Sequence, residues 1–132
     1  MRRKVLIVDD EKDILEEVNE ALNEGGYECF SATNVKDALA ILKDNPKITL
    51  VVTDLIMAVK TGADLIKEAQ AEFERDISFI IMSGSVETLG LDLDKFPFLP
   101  KPLDVDELLK VIGRAAASIG DKPNDSRGTN DE

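Results

Sequence analysis

Val5-Leu6-Ile7-Val8 runs straight into Asp9-Asp10-Glu11, and this abrupt change from apolar to acidic decides how the rest of the chain is read. A short apolar run closed by polar residues reads as a buried strand with its carboxyl end marked. The same pattern recurs where Leu50-Val51-Val52-Thr53 precedes Asp54, where Phe79-Ile80-Ile81-Met82 precedes Ser83, and where Phe98-Leu99-Pro100 precedes Lys101. In an open parallel sheet the carboxyl ends of the strands form the ligand crevice, so residues far apart in sequence converge there. A crevice built from these four ends holds carboxylates, a hydroxyl and one ammonium.

Helical spacing fills the gaps between the runs. Ile14, Leu15, Val18, Ala21 and Leu22 define a first helix stopped by Gly25-Gly26, and Tyr27 to Ala32 reads as a strand. Asn34 caps a second helix with Val35, Ala38, Leu39, Ile41 and Leu42 inward, ended by Asn45-Pro46 and followed by a strand from Ile48 to Thr53. A third helix starts near Gly62 and buries Leu65, Ile66 and Ala69. Gly84 to Pro97 has room for only a short helix, and Pro100 puts the last strand at an edge. The final helix begins at Asp104, with an Asp104/Glu107 capping box and Leu108, Leu109, Val111, Ile112 and Ala115 inward. The expected fold is α/β: a five-stranded parallel sheet flanked by helices, doubly wound and flavodoxin-like, (βα)5, with a shortened or irregular fourth helix. Residues 1–119 form one domain; 120–132, without an apolar residue, read as a disordered polar tail or linker stub.

Composition narrows the chemistry. With 132 residues and 43% hydrophobic content, the chain fits one domain with a real core. A formal net charge of -11 opposes binding to nucleic acid or anionic membranes, and no apolar stretch reaches the roughly 20 residues of a bilayer span. A cytoplasmic protein is expected, with no nucleic-acid or membrane partner. Histidine is absent, so imidazole catalysis and imidazole ligation are excluded and any metal must be held by oxygen. The single cysteine, Cys29, falls in a strand and reads as a small buried side chain.

Clustered aspartates beside a lysine suit attack of a carboxylate on a phosphoryl group. Two negative partners meet in that step, so cations must neutralise the charge spread over the equatorial oxygens, and Lys101 with a hard, oxygen-loving ion such as Mg2+ can do so. Taken singly, each residue also has an ordinary role: Asp10 as a helix cap, Asp54 as a turn former, Ser83 as a loop serine, Lys101 as a solvated charge and Phe98 as core.

VLIVDDE at 5–11, VVTDLIM at 51–57 with Gly62 following, FIIMSGS at 79–85 and FLPKPLD at 98–104 together resemble the response-regulator receiver domain of two-component phosphorelay signalling, over about residues 3 to 118. The resemblance implies Asp54 as phosphate acceptor, and Asp9, Asp10, Asp54 and the backbone carbonyl of Ile56 as Mg2+ ligands. It implies Ser83 and Lys101 as partners of the phosphoryl group, and Phe98 as an aromatic switch. It implies a histidine kinase or histidine phosphotransfer protein as donor, and a downstream effector whose identity is open. The chain departs from the family pattern at Ala58, where proline is usual, at Gly84, where alanine is usual, and in the eighteen positions from Ser83 to Lys101, about one helical turn fewer than usual. A phosphatase of the haloacid dehalogenase type would need an acid two residues after Asp54, where Ile56 stands. A flavodoxin-like carrier would need a glycine- and hydroxyl-rich phosphate loop where Asp9-Asp10-Glu11 stands. A receiver-like module that binds partners without being phosphorylated is the remaining alternative.

Overall fold

A computed structural model describes residues 2–84, 90 and 92–120. In chain order these form β1 (Lys4–Val8), α1 (Lys12–Glu24), β2 (Glu28–Ala32), α2 (Val35–Asp44), β3 (Leu50–Asp54), α3 (Gly62–Glu72), β4 (Ser78–Ser83), β5 (Phe98–Pro100) and α4 (Val105–Gly120). The strands pair in parallel in the order β2-β1-β3-β4-β5. Strand order reverses between β1 and β3, which is where a doubly wound sheet opens its crevice.

Successive strand residues face opposite layers. Leu6, Val8, Val51 and Ile81 pack with Ala38 and Leu42 of α2 and Leu65 and Ile66 of α3. Val5, Ile7, Val52 and Ile80 pack with Leu15, Val18 and Leu22 of α1 and Leu108 and Ile112 of α4. Each fully buried aliphatic side chain of this kind contributes about 1.5–3 kcal/mol of transfer free energy. Burial on both faces thus explains why the central strands are apolar throughout rather than alternating.

The helix starts follow local chemistry. Asn34 Oδ1 accepts from the Asp37 amide at 2.8 Å, as expected. α3 opens with a capping box not anticipated from the sequence: Thr61 Oγ1 accepts from the Asp64 amide at 3.1 Å, and Asp64 Oδ2 accepts from the Thr61 amide at 2.9 Å. At α4, Asp104 Oδ1 accepts from the amides of Asp106 and Glu107 at 3.0 and 3.2 Å. Tyr27, expected in the second strand, instead closes α1, its amide donating to the Leu22 carbonyl at 2.9 Å. The third strand starts later than expected and extends through Asp54, which pairs with Met82.

Away from the crevice, Arg75 binds three carbonyls. Its Nε donates to Ile48 at 3.1 Å and its Nη2 to Leu42 and Asn45 at 2.9 and 3.4 Å, while the guanidinium lies over the Phe73 ring, 5.0 Å from its centroid.

Where the fourth helix was expected to be short or irregular, the described residues contain one 3-10 turn, Leu93–Lys95. Residues 85–89 and 91 lie outside the described set, as do 121–132 of the expected tail, while Gly120 ends α4. Among the described residues no helix is long and apolar enough to cross a membrane.

Candidate functional site

Register brings the predicted residues to one level. Val8 pairs with Thr53, Asp54 with Met82, and Met82 with Leu99, so Asp9 follows β1 at the height of Asp54. Pro100 pairs with Ser83, and the Lys101 amide donates to the Ser83 carbonyl at 3.0 Å, carrying the ladder one residue further. The Lys101 ammonium then turns into the acidic cluster. It lies 2.8 Å from Asp9 Oδ2, 3.2 Å from Asp54 Oδ2 and 3.1 Å from Glu11 Oε1. Asp9 is fully buried and Asp54 is 5% exposed.

The loops around the cluster are tied to it. Asp9 Oδ1 accepts from the Glu11 amide at 2.9 Å, and Asp54 Oδ1 accepts from the Ile56 amide at 3.3 Å. Asp10 is exposed and does not cap α1; its Oδ2 takes a long bond, 3.4 Å, from the Ala58 amide. A proline at position 58 has no N–H to make that bond. Beyond it the Lys60 amide donates to the Ala58 carbonyl at 2.8 Å, a γ-turn centred on Val59 with φ +67°. The loop ends at Gly62, whose amide donates to the Leu55 carbonyl at 2.9 Å. A Cβ at Gly62 would sit 2.3 Å from the Asp54 carbonyl oxygen, so only glycine lets α3 begin this close to β3.

Burial, and then the charge of Asp9, hold the Asp54 carboxyl above its ordinary pKa, against the pull of Lys101 and the Ile56 amide. For Lys101 burial works against the charged form, but contact with Asp9 and Glu11 and the charges of Asp54 and Asp9 outweigh it and keep the pKa above the ordinary lysine value. The ammonium is therefore a permanent charge here. One oxygen from each of Asp9, Asp10 and Asp54 lies within 4.8 Å of the others, a spacing that a single cation can span. Among the described residues the buried Asp9 Oδ2 is met by the Lys101 ammonium alone, at 2.8 Å, as an ion pair. A hard, all-oxygen donor set at this spacing fits a divalent metal ion.

The remaining expected residues surround this cluster. Ser83 is buried at the end of β4. The Ile56 side chain is 41% exposed at the rim. Phe98 is 38% exposed rather than core, lining a groove of about 460 Å³ with Leu99, Glu107, Val111 and Arg114. An edge strand of three residues cannot cover both faces of that ring. Glu11 and Gly62 were not singled out as site residues; an acid at a helix start reads as solvated, and a lone glycine there reads as a turn.

This sheet, with acids at the ends of β1 and β3, a serine after β4 and a lysine after β5, defines a class of phosphorelay domain. The chain belongs to the response regulator receiver domain family, whose family model matches residues 5–113. It is 32% identical over 111 residues to the transcriptional regulatory protein CpxR of Klebsiella pneumoniae, covering 83% of this chain and 47% of that protein. It is 34% identical over 117 residues to the response regulator protein PilR of Pseudomonas aeruginosa, covering 86% of this chain and 26% of that one. The chain thus spans about half the length, or less, of these relatives. Among solved structures it is similar to a response regulator receiver protein from Pseudomonas putida, with a TM-score of 0.76 and 30% identity over 86% of this chain and 98% of that one.

Proposed function

We propose that Asp54 accepts a phosphoryl group from a phosphohistidine on a histidine kinase or histidine phosphotransfer protein, and that the chain passes the event on as a change of surface. The observation that carries this reading is the setting of Asp54: a nearly buried carboxylate on the central strand, with an ammonium 3.2 Å from one oxygen and two further aspartates sharing its cation-sized space. In the transfer an Asp54 oxygen attacks phosphorus, an O–P bond forms, the donor's N–P bond breaks, and its electron pair stays on the imidazole. Lys101 and Ser83 are the groups to meet the equatorial oxygens, where charge is spread in the transition state. Asp9, Asp10, Asp54 and the Ile56 carbonyl are the residues to hold Mg2+, which when bound supplies neutralisation of that charge.

The phosphoryl group adds about -1.5 to -2 charges, which biases a two-state equilibrium of the loops around it. Phe98, half-exposed over its groove, is the ring whose surroundings change. The proposed setting is cytoplasmic, with a protein effector. Two residues after the nucleophile stands Ile56, which can move no proton, so the site is an acceptor rather than a turnover phosphatase.

Incubation with a small acyl phosphate and Mg2+ should add one phosphate by mass. Asp54→Asn should abolish the addition, as should a chelator. Labelling of Asp54→Asn on another residue overturns the assignment.

A further inference from the structure

Glu11 occupies the N-cap position of α1, where Ser, Thr, Asp or Asn is favoured because a short side chain can reach back to the helix amides. Its side chain makes no cap hydrogen bond. The Asp9 carboxylate takes the Glu11 amide instead, at 2.9 Å, and the Glu11 carboxylate turns away from its own helix to Lys101 Nζ at 3.1 Å. A residue that breaks a local rule with its side chain committed elsewhere marks a function for that side chain.

The three carboxylates around Lys101 are unequal. Asp9 and Asp54 have side chains 0% and 7% exposed, while that of Glu11 is 62% exposed. Asp9 and Asp54 are also two of the three aspartates whose oxygens converge closely enough to share a cation, and the buried Asp9 Oδ2 is the oxygen nearest the ammonium. An ammonium and a divalent ion a few ångströms apart repel, so the two compete for Asp9 Oδ2. Among the described residues Glu11 is the one partner of Lys101 outside that trio.

We propose that Glu11 is a positioning residue that retains the Lys101 ammonium at the mouth of the site when Asp9 and Asp54 turn to a divalent cation, so that the ammonium is at hand for the incoming phosphoryl group. This rests on the reading of Asp54 as phosphoacceptor. The side-chain geometry supports it on three counts: the ammonium already touches Glu11, the contact lies on the solvent side, and no other role occupies the carboxylate. Among the described residues the ammonium without Glu11 has only the two buried aspartates, and holding to them opposes the cation.

The test is a double-mutant cycle of Glu11→Gln and Lys101→Met on the full chain, with Mg2+ affinity read by calorimetry. Glu11→Gln should weaken Mg2+ binding about three- to tenfold with Lys101 present and less than about twofold in the Lys101→Met background, since an exposed charge alone is screened at physiological salt. The side-chain NMR signal of Lys101 in the presence of Mg2+ should show a restrained ammonium in the parent chain and a freely rotating one in Glu11→Gln. Phosphorylation at saturating Mg2+ should slow in Glu11→Gln and recover in part in Glu11→Asp. Equal weakening in both lysine backgrounds, or an unchanged Lys101 signal, overturns the positioning role while leaving Asp54 as acceptor. Label persisting in Asp54→Asn overturns the functional reading itself. Unchanged thermal unfolding of Glu11→Gln is expected, because the carboxylate caps nothing.

Discussion

Gly62→Ala is the substitution whose cost can be worked most directly from the structure. The new Cβ would stand 2.3 Å from the Asp54 carbonyl oxygen, 3.1 Å from the Asp54 carbonyl carbon and 3.0 Å from Leu55 Cα, all of them backbone atoms. An ordinary contact begins at 3.4 Å, so the overlap with oxygen is roughly 1 Å, and no flexible side chain can yield to relieve it. Either α3 withdraws, stretching the 2.9 Å bond from the Gly62 amide to the Leu55 carbonyl, or the end of β3 moves. Overpacking of this kind costs about 1–3 kcal/mol, against a helix-propensity gain of less than about 1 kcal/mol at a first-turn position. A net loss of about 2 kcal/mol should lower Tm by roughly 8 °C for a domain of this size. The chain has one tyrosine and no tryptophan, so unfolding is best followed by far-ultraviolet circular dichroism in urea. Because the displaced atoms belong to the residue that bears the acceptor carboxylate, the rate of labelling by an acyl phosphate should fall alongside stability. A variant within about 0.5 kcal/mol of the parent and labelled at the parental rate would refute the close-approach argument.

Three further outcomes are expected. Asp54 has its pKa raised in the fold, so its contribution to stability is present below about 3.8 and is lost as pH rises through the folded value; Asp54→Asn should therefore be more stable than the parent at pH 7, with the advantage shrinking toward pH 3.8 in paired thermal melts. Asp10→Ala should raise the Mg2+ dissociation constant about tenfold or more and leave unfolding nearly unchanged, because among the described residues this exposed carboxylate makes only the long bond from Ala58; calorimetry and dichroism on the same samples check both halves. Burial pushes the Cys29 thiol up from 9.0 to about 11, so at pH 8 its thiolate population should be about 100-fold below that of an unperturbed thiol, and alkylation of the native protein should be correspondingly slow and rise on addition of urea.

Much of the fold was legible because apolar runs and helical spacing are local signals that burial on two faces makes strong. Val5–Val8 and Phe79–Met82 can be nothing but covered strands once helices are read on either side. Asp9, Asp54, Ser83 and Lys101 were legible for a related reason, each being the first polar group or charge after such a run. What escaped depended on contacts across the chain. Glu11 looks like any solvated acid until Lys101, ninety residues later, is brought to 3.1 Å. Thr61 and Asp64 escaped because the box is usually recognised by Glu or Gln at its third position. Phe98 was readable as core by residue type alone, but the edge position of β5 leaves one side of the ring uncovered. Between Gly84 and Pro97 the mixture of glycine, leucine, acid and proline offers no dominant period, and the described residues there show a single 3-10 turn.

The guanidinium of Arg75 gives the domain a fixed heel. By gripping the carbonyls of Leu42, Asn45 and Ile48 it seams the exit of α2 and the entry of β3 to the segment that leads into β4, on the side of the sheet opposite the acids. β3 is also paired with β1 and β4 along its length, so the guanidinium adds a further hold at the tail of a strand already held at its head. At the far edge of the sheet β4 and β5 share three paired residues, the shortest ladder of the four, with no comparable clamp among the described residues. Lysine would not reproduce this hold, since its compact ammonium lacks the planar edge on which Nε and Nη2 reach the three carbonyls while the guanidinium lies over the Phe73 ring.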